Sequence, residues 1–287
     1  MKAPNFAYVM PAALDEALGL LATHAGAVPL AGGQSLMPSL NLRLSAPDLL
    51  VDIGGLDELR GIRVEGDAIW IGALTTHAEL ATSALVRQHL PLIAEAIRHV
   101  GHVAIRNRGT FGGSLAYADP AAELPACCVA LDATLLLAGR GGRRDVKADR
   151  FYKGMFETAL GAGELIVGVR LPKQKPDRKW GFSELSRRRG DFALAGLAAV
   201  TSLDGDRIGE ARLAYIGCTD RAKLAQRLAQ KLAGERLPLA DHGWLPELLA
   251  ADLDPVDTPG LSAATKLQLA ATLTRRTLQS LRPGPTG

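Results

Sequence analysis

Residues 106–114 read Arg106-Asn107-Arg108-Gly109-Thr110-Phe111-Gly112-Gly113-Ser114. An adjacent glycine pair flanked by hydroxyl side chains lets the backbone turn tightly and point successive N–H groups at one anion. An earlier stretch, Ala31-Gly32-Gly33-Gln34-Ser35, repeats the device between a predicted strand and a predicted turn of helix. One such turn is also what an ordinary strand-to-helix connection looks like. Two of them, in separate α/β segments, suit two linked phosphates. Beyond the second, LAYADPAAELP (115–125) puts Asp119 and Glu123 at the start of a predicted helix, where a carboxylate accepts hydrogen bonds from sugar hydroxyls. Neither stretch is GxGxxG or GxxxxGK[ST], so the Rossmann and P-loop readings lack their fingerprint.

Outward from these turns, Leu14, Ala17, Leu18 and Leu21 recur at helical spacing and predict a helix over 12–24. Short apolar runs at Ala27–Leu30 and Leu49–Ile53 predict strands, with a turn of helix between them. Gly61–Val64 and Ala68–Gly72 flank Gly66-Asp67 as a hairpin, and Thr76 to Glu79 forms a capping box. Helices are expected at Pro91–Val100 and Ala121–Leu131. Strands are expected at Thr134–Ala138 and Glu164–Leu171, around a basic loop GRGGRRD. PKQKPDRK (172–179) is the best linker. After it come three predicted strands, Trp180–Ser186, Ala193–Ser202 and Arg207–Ile216. Three helices follow, at Ala222–Ala233, Trp244–Ala251 and Ser262–Leu281. The last carries Leu267, Ala270, Thr274, Leu278 and Leu281 on one face. The expected fold class is α+β, in three units: 1–55, 56–172 and 178–287.

The chain has 287 residues, enough for two or three packed units, and 31 glycines, above the roughly 7 % norm. A formal net charge of +3 with no long run of one sign argues against a nucleic-acid partner. No stretch is long and apolar enough to span a membrane, and the N-terminus lacks a signal-peptide pattern, so the expected location is cytoplasmic. Cys127, Cys128 and Cys218 form no CxxC and read as structural thiols, too few to hold an iron–sulfur cluster. The six histidines show no metal-ligand spacing.

The ordered set AGGQS (31–35), NLRLSAPDLLVDI (41–53), RNRGTFGGSLAYADPAAELPA (106–126) and RRRGDFALAG (187–196) resembles the FAD-binding medium subunit of molybdenum hydroxylases. That family includes the carbon monoxide dehydrogenase flavoprotein and the flavin domain of xanthine dehydrogenase. The resemblance implies a two-subdomain FAD-binding fold of the vanillyl-alcohol-oxidase type, with a C-terminal domain of antiparallel sheet and helices. It implies that Ala31, Gly32, Gly33, Gln34 and Ser35 bind the diphosphate, and that Thr110, Phe111, Gly112, Gly113 and Ser114 bind diphosphate and ribityl. It places a carboxylate, Glu123, and an aliphatic contact, Ile166, on the FAD, and an aromatic ring, Phe192, over the flavin. Some relatives carry an aliphatic residue at Phe111, a tyrosine at Phe192, and a lysine in the strand that reads WGFSELSRRR, where Ser183 and Glu184 offer no cation.

The resemblance further implies an electron-transfer role without a catalytic side chain or bound metal of the chain's own. Electrons would pass from the [2Fe–2S] clusters of a small partner subunit through FAD to NAD, oxygen or a quinone. Hydroxylation would occur on a large molybdopterin subunit, within a dimer of heterotrimers. The alternative is a self-sufficient flavin oxidase or reductase of the same fold, which requires a base beside the flavin.

Overall fold

The computed structural model describes residues 2–239 and 242–281, so the expected outer boundaries at 1 and 287 lie outside the described residues. The first unit is β1 (Ala7–Val9), α1 (Leu14–Thr23), β2 (Ala27–Leu30), α2 (Leu36–Asn41) and β3 (Leu49–Asp52). Its sheet is parallel in the order β1-β3-β2. The predicted apolar stripe of α1 is the face it buries, against Val51, Ile53, Leu165 and Val167. Parallel pairing makes the loops after β2 and β3 emerge on the same edge, which brings Ala31 and Gly54 together there.

The middle unit opens with the hairpin β4 (Ile62–Glu65) and β5 (Ala68–Gly72). Six short helices follow: α3 (His77–Thr82), α4 (Ala84–His89), α5 (Pro91–Ala96), α6 (Val103–Arg106), α7 (Phe111–Tyr117) and α8 (Glu123–Ala130). The chain continues through β6 (Thr134–Gly139), β7 (Gly142–Lys147), α9 (Ala148–Phe151), β8 (Tyr152–Gly154), β9 (Glu157–Thr158) and β10 (Leu165–Pro172). The main sheet is antiparallel in the order β4-β5-β10-β6-β7. The capping box at α3 is formed: Glu79 N donates to Thr76 Oγ1 at 3.2 Å, and Thr76 N donates to Glu79 Oε2 at 2.6 Å.

The last unit is β11 (Arg178–Leu185), β12 (Ala195–Asp204), β13 (Arg207–Ile216), β14 (Lys223–Leu224), α10 (Gln226–Leu232), α11 (Leu245–Leu253) and α12 (Ala263–Ser280). Its four-stranded antiparallel sheet is buried on both faces, which accounts for the unbroken apolar run of β12. Leu197, Ala199, Leu213 and Tyr215 face the three helices, while Ala198, Val200, Ala214 and Ile216 face α8 and the middle core. From Leu124 to Ala130, α8 is buried at every residue, Cys127 and Cys128 included.

Three expectations give way. The basic stretch GRGGRRD is mostly β7, an edge strand whose charged side chains point to solvent, where they discourage further pairing. The predicted helix at Ala222 is preceded by β14, which pairs with Ala214 and Tyr215, so the helix begins only at Gln226. The second glycine pair, expected as a tight anion-facing turn, is the first turn of α7, capped by Thr110.

Candidate functional site

The first glycine turn joins β2 to α2. Gly33 has φ of +73°, a left-handed conformation that glycine adopts without strain. Gly32 lies so close to the second segment that a Cβ there would sit 2.1 Å from the Arg108 carbonyl oxygen. The two turns therefore meet. Among the described residues, the backbone N–H groups of Gly32, Gly33, Gln34 and Ser35 make no hydrogen bond. Gly32, Gly33 and Gln34 border a cleft of about 620 Å³, within the size range of small-molecule sites. Arg60 and Arg108 line it as cations, and Asp52, Gly54, Thr76 and Thr110 complete its walls. Arg60 is itself oriented, donating to Gly54 O at 2.6 Å. An elongated, anion-lined ligand with two linked phosphates fits this donor set: consecutive unpaired N–H groups beside two guanidiniums.

The second cluster is built differently. Phe111 N donates to Thr75 O at 2.8 Å, Gly112 N to Ala73 O at 2.7 Å, and Gly113 N to the Thr110 side chain at 3.2 Å. Phe111 is fully buried, and a Cβ on Gly112 would sit 2.5 Å from that of Ala73. Phe111 and Gly112 thus seat α7 on the end of β5, while Thr110 lines the cleft and Gly113 faces Ala31. Ser114 is half-buried in the same turn.

His77 locks this junction. Its backbone N–H donates to Gly109 O at 2.9 Å, and its Nε2 lies 3.1 Å from Thr110 O. Burial is the main cause of a pKa lowered to about 4, so the ring is neutral and Nε2 carries the donated proton.

From Thr110, α7 advances about 10 Å along its seven residues. It ends at Ala118, in the left-handed region at φ +53°. Its far end gathers rings: Tyr117 stands edge-on to Phe156 at 5.2 Å, both partly exposed. Beyond it, Pro120 O accepts from Gly217 N at 2.8 Å, tying this segment to the C-terminal sheet beside Ala193. Phe192, next in the chain to Ala193, is 74 % exposed on the bend after β11. Glu123 is the first residue of α8. Desolvation is the main cause of its pKa being raised to about 8, with Glu184 and Asp119 adding charge repulsion. Ile166 is buried within β10, away from the cleft.

Of the sequence-derived candidates, the structure brings Ala31, Gly32, Gly33, Gln34 and Thr110 to one cleft. Glu123 and Phe192 do not line it: Glu123 opens α8, and Phe192 lies on the bend after β11. Sequence reasoning missed Asp52, Arg60, Arg108 and the Gly54-Gly55 pair. The last carried a readable signal, a third adjacent glycine pair directly after a strand.

A cleft lined by unpaired N–H groups and two guanidiniums, between a small parallel unit and a helix-bearing antiparallel unit, has the donor set a dinucleotide requires. Residues 4–174 match the family described as the FAD-binding domain in molybdopterin dehydrogenase, and residues 180–281 the carbon monoxide dehydrogenase flavoprotein C-terminal domain. The chain is 40 % identical over 280 residues to the 6-hydroxypseudooxynicotine dehydrogenase complex subunit alpha of Paenarthrobacter nicotinovorans, covering 97 % of this chain and 95 % of that one. It superposes on a chain of carbon monoxide dehydrogenase from Hydrogenophaga pseudoflava with TM-score 0.93 and 34 % identity, covering 98 % of each. A chain of quinoline 2-oxidoreductase from Pseudomonas putida 86 gives TM-score 0.90 and 38 % identity, again covering 98 % of each. The chain belongs to the FAD-binding medium subunits of the molybdenum hydroxylase family of oxidoreductases, and its cofactor is FAD.

Proposed function

We propose that the chain relays electrons from the [2Fe–2S] clusters of a small partner subunit through FAD to an external acceptor, NAD, oxygen or a quinone. In this reading the substrate is oxidised on a large molybdopterin subunit, within a cytoplasmic dimer of heterotrimers. The three units are subdomains 1–55 and 56–172, which hold the FAD, and 178–287, which covers it. The observation that carries the reading is the row of unpaired N–H groups from Gly32 to Gln34 in one cleft with two arginines.

Ala31, Gly32, Gly33, Gln34 and Ser35, with Thr110, Gly113 and Ser114, hold the diphosphate and ribityl. Phe111 and Gly112 set α7 in place from within. Glu123, Ile166 and Phe192 serve the flavin end, Phe192 by covering the ring. FAD when bound supplies the redox chemistry. The side chains position it, exclude water and set the local charge.

The test is co-expression with the neighbouring reading frames. A complex that co-purifies with a CxxC-bearing small subunit and a large subunit, and whose FAD is reduced by the substrate of the large subunit, supports the relay. Turnover of an organic substrate by this chain alone would establish the self-sufficient oxidase instead.

A further inference from the structure

Two segments from different units meet beside the cleft and carry cations out of proportion to the rest of the chain. Residues 98–108 read RHVGHVAIRNR and residues 187–192 read RRRGDF: six arginines, no lysine and one carboxylate, Asp191, in a chain whose formal net charge is +3. The segments are in contact. Gly190, at φ +85°, lies so close to His102 that a Cβ there would sit 3.0 Å from its Cε1. Just ahead of the bend, the His99 ring packs on Phe182 at 5.1 Å, and Glu184 Oε2 lies 4.0 Å from its Nδ1. The bend itself is closed: Leu194 N donates to Leu185 O at 2.8 Å and Asp191 N to Arg188 O at 3.0 Å.

Two of the six arginines are engaged. Arg98 Nη1 pairs with Glu95 at 3.1 Å, and Arg106 Nη1 donates to Val100 O and Gly101 O, both at 2.9 Å. The guanidiniums of Arg108, Arg187, Arg188 and Arg189 make no hydrogen bond or ion pair among the described residues, and all four residues are exposed. Arg108 lines the cleft, whereas the bend lines no part of it, so its three arginines are not part of the phosphate cradle. On α6, Val103 is 63 % and Ile105 37 % exposed.

Grouped like charges repel, and with no carboxylate of the chain paired to these four, the complementary charge is a partner's. Arginine forks match carboxylates two bonds at a time, and arginine beside exposed apolar side chains, with lysine absent, is the composition of a protein interface rather than of a merely solvated face. We propose that this surface docks an acidic electron-carrier protein, a role that rests on the FAD reading above and adds a macromolecular acceptor to the small ones named there. The patch shares Asn107 and Arg108 with the cleft, and its bend carries Phe192, assigned above to the flavin ring, so a carrier seated on the arginines arrives at the cofactor. Reduced FAD gives up two electrons, one to the one-electron centre of each of two carriers docked in turn. The protons taken up on reduction of the flavin return to solvent.

The experiment mixes the FAD-loaded full chain, reduced with dithionite and freed of the excess, with two oxidised one-electron proteins in stopped flow: acidic plastocyanin and basic mitochondrial cytochrome c. As ionic strength rises from about 0.02 M to about 0.5 M, the plastocyanin rate should fall roughly 10- to 100-fold and the cytochrome c rate should not fall. Combining Arg187→Glu, Arg188→Glu and Arg189→Glu should exchange the two salt dependences at parental FAD content and melting temperature, and Arg188→Glu alone should shift them in the same direction by less. Rates independent of salt, or alike in parent and variants, overturn the docking. So does failure of the triple variant to co-purify with subunits that the parent retains, because a subunit then covers the patch. Binding to vesicles of equal phosphatidylserine and phosphatidylcholine that the triple variant loses, with its plastocyanin rate unchanged, overturns it in favour of a membrane surface. A folded parent that binds no FAD overturns the cofactor reading instead, whereas a salt-independent rate in the FAD-loaded parent overturns the docking alone.

Discussion

Substitution to valine at Gly33 and at Gly112 should separate two glycine pairs that look alike in sequence. At Gly33 the backbone is left-handed at φ +73°, and a Cβ would lie 3.3 Å from Met37 Cγ and 3.4 Å from Leu30 Cδ1, both flexible ends. The left-handed conformation costs a non-glycine residue about 1–2 kcal/mol, so the apoprotein should melt only a few degrees lower. If the branched chain turns even one N–H away from a phosphate, a charge-assisted bond of about 1.5–3 kcal/mol is lost, weakening FAD binding roughly 10- to 150-fold. At Gly112 a Cβ would meet Ala73 Cβ at 2.5 Å and its Cα at 2.9 Å, while the local N–H is already bonded to Ala73 O. Overpacking there should cost the fold about 1–3 kcal/mol or more before any ligand is considered. Apo melting curves and FAD titrations on both variants are the assay. Gly112→Val that melts like the parent yet fails to bind FAD would refute the packing role of Gly112. Parental affinity in Gly33→Val would refute the cradle.

Phe192→Ala should weaken FAD affinity by one to two decades, about 1.5–3 kcal/mol, and leave the apo melting temperature unchanged because the ring is already 74 % exposed. Unchanged affinity by titration would remove its covering role. His77, held neutral by burial with a pKa near 4 against an ordinary 6.5, contributes stability that is full above pH 6.5 and lost as pH falls through 4. Denaturant titrations should therefore show His77→Gln losing about 3 kcal/mol less than the parent between about pH 7 and pH 4; equal losses would contradict the neutral assignment. Acid precipitation of the holoprotein should release FAD, not FMN, into the supernatant, and colour retained in the pellet would contradict non-covalent binding.

The parts of this fold that sequence exposes are those governed by local rules. The apolar stripe of α1, the Thr76 capping box, the Gly66-Asp67 hairpin and the alternating faces of β12 and β13 all form as periodicity and turn chemistry dictate. The fate of an N–H group follows a different logic. Whether Gly112 can bind an anion depends on Ala73 and Thr75, residues from the end of another strand, and no pattern around Gly112 reveals that they arrive there. The same holds for Arg60, which reaches the cleft because Gly54 O orients it, and for β7, whose charged edge reads as a loop until β6 is placed beside it.

The C-terminal sheet makes the same point at the scale of a domain. It lines no part of the cleft, yet the inner face of β12 and β13 packs on α8, the helix that opens on Glu123. Because α8 is buried from Leu124 to Ala130 and opens on the half-buried carboxyl of Glu123, the charge of that carboxyl depends on what covers the helix. A change in how β12 and β13 sit on α8 would rehydrate Glu123 and lower its pKa toward the ordinary carboxylate range. The C-terminal unit thus acts on this carboxyl through desolvation, without lining the cleft.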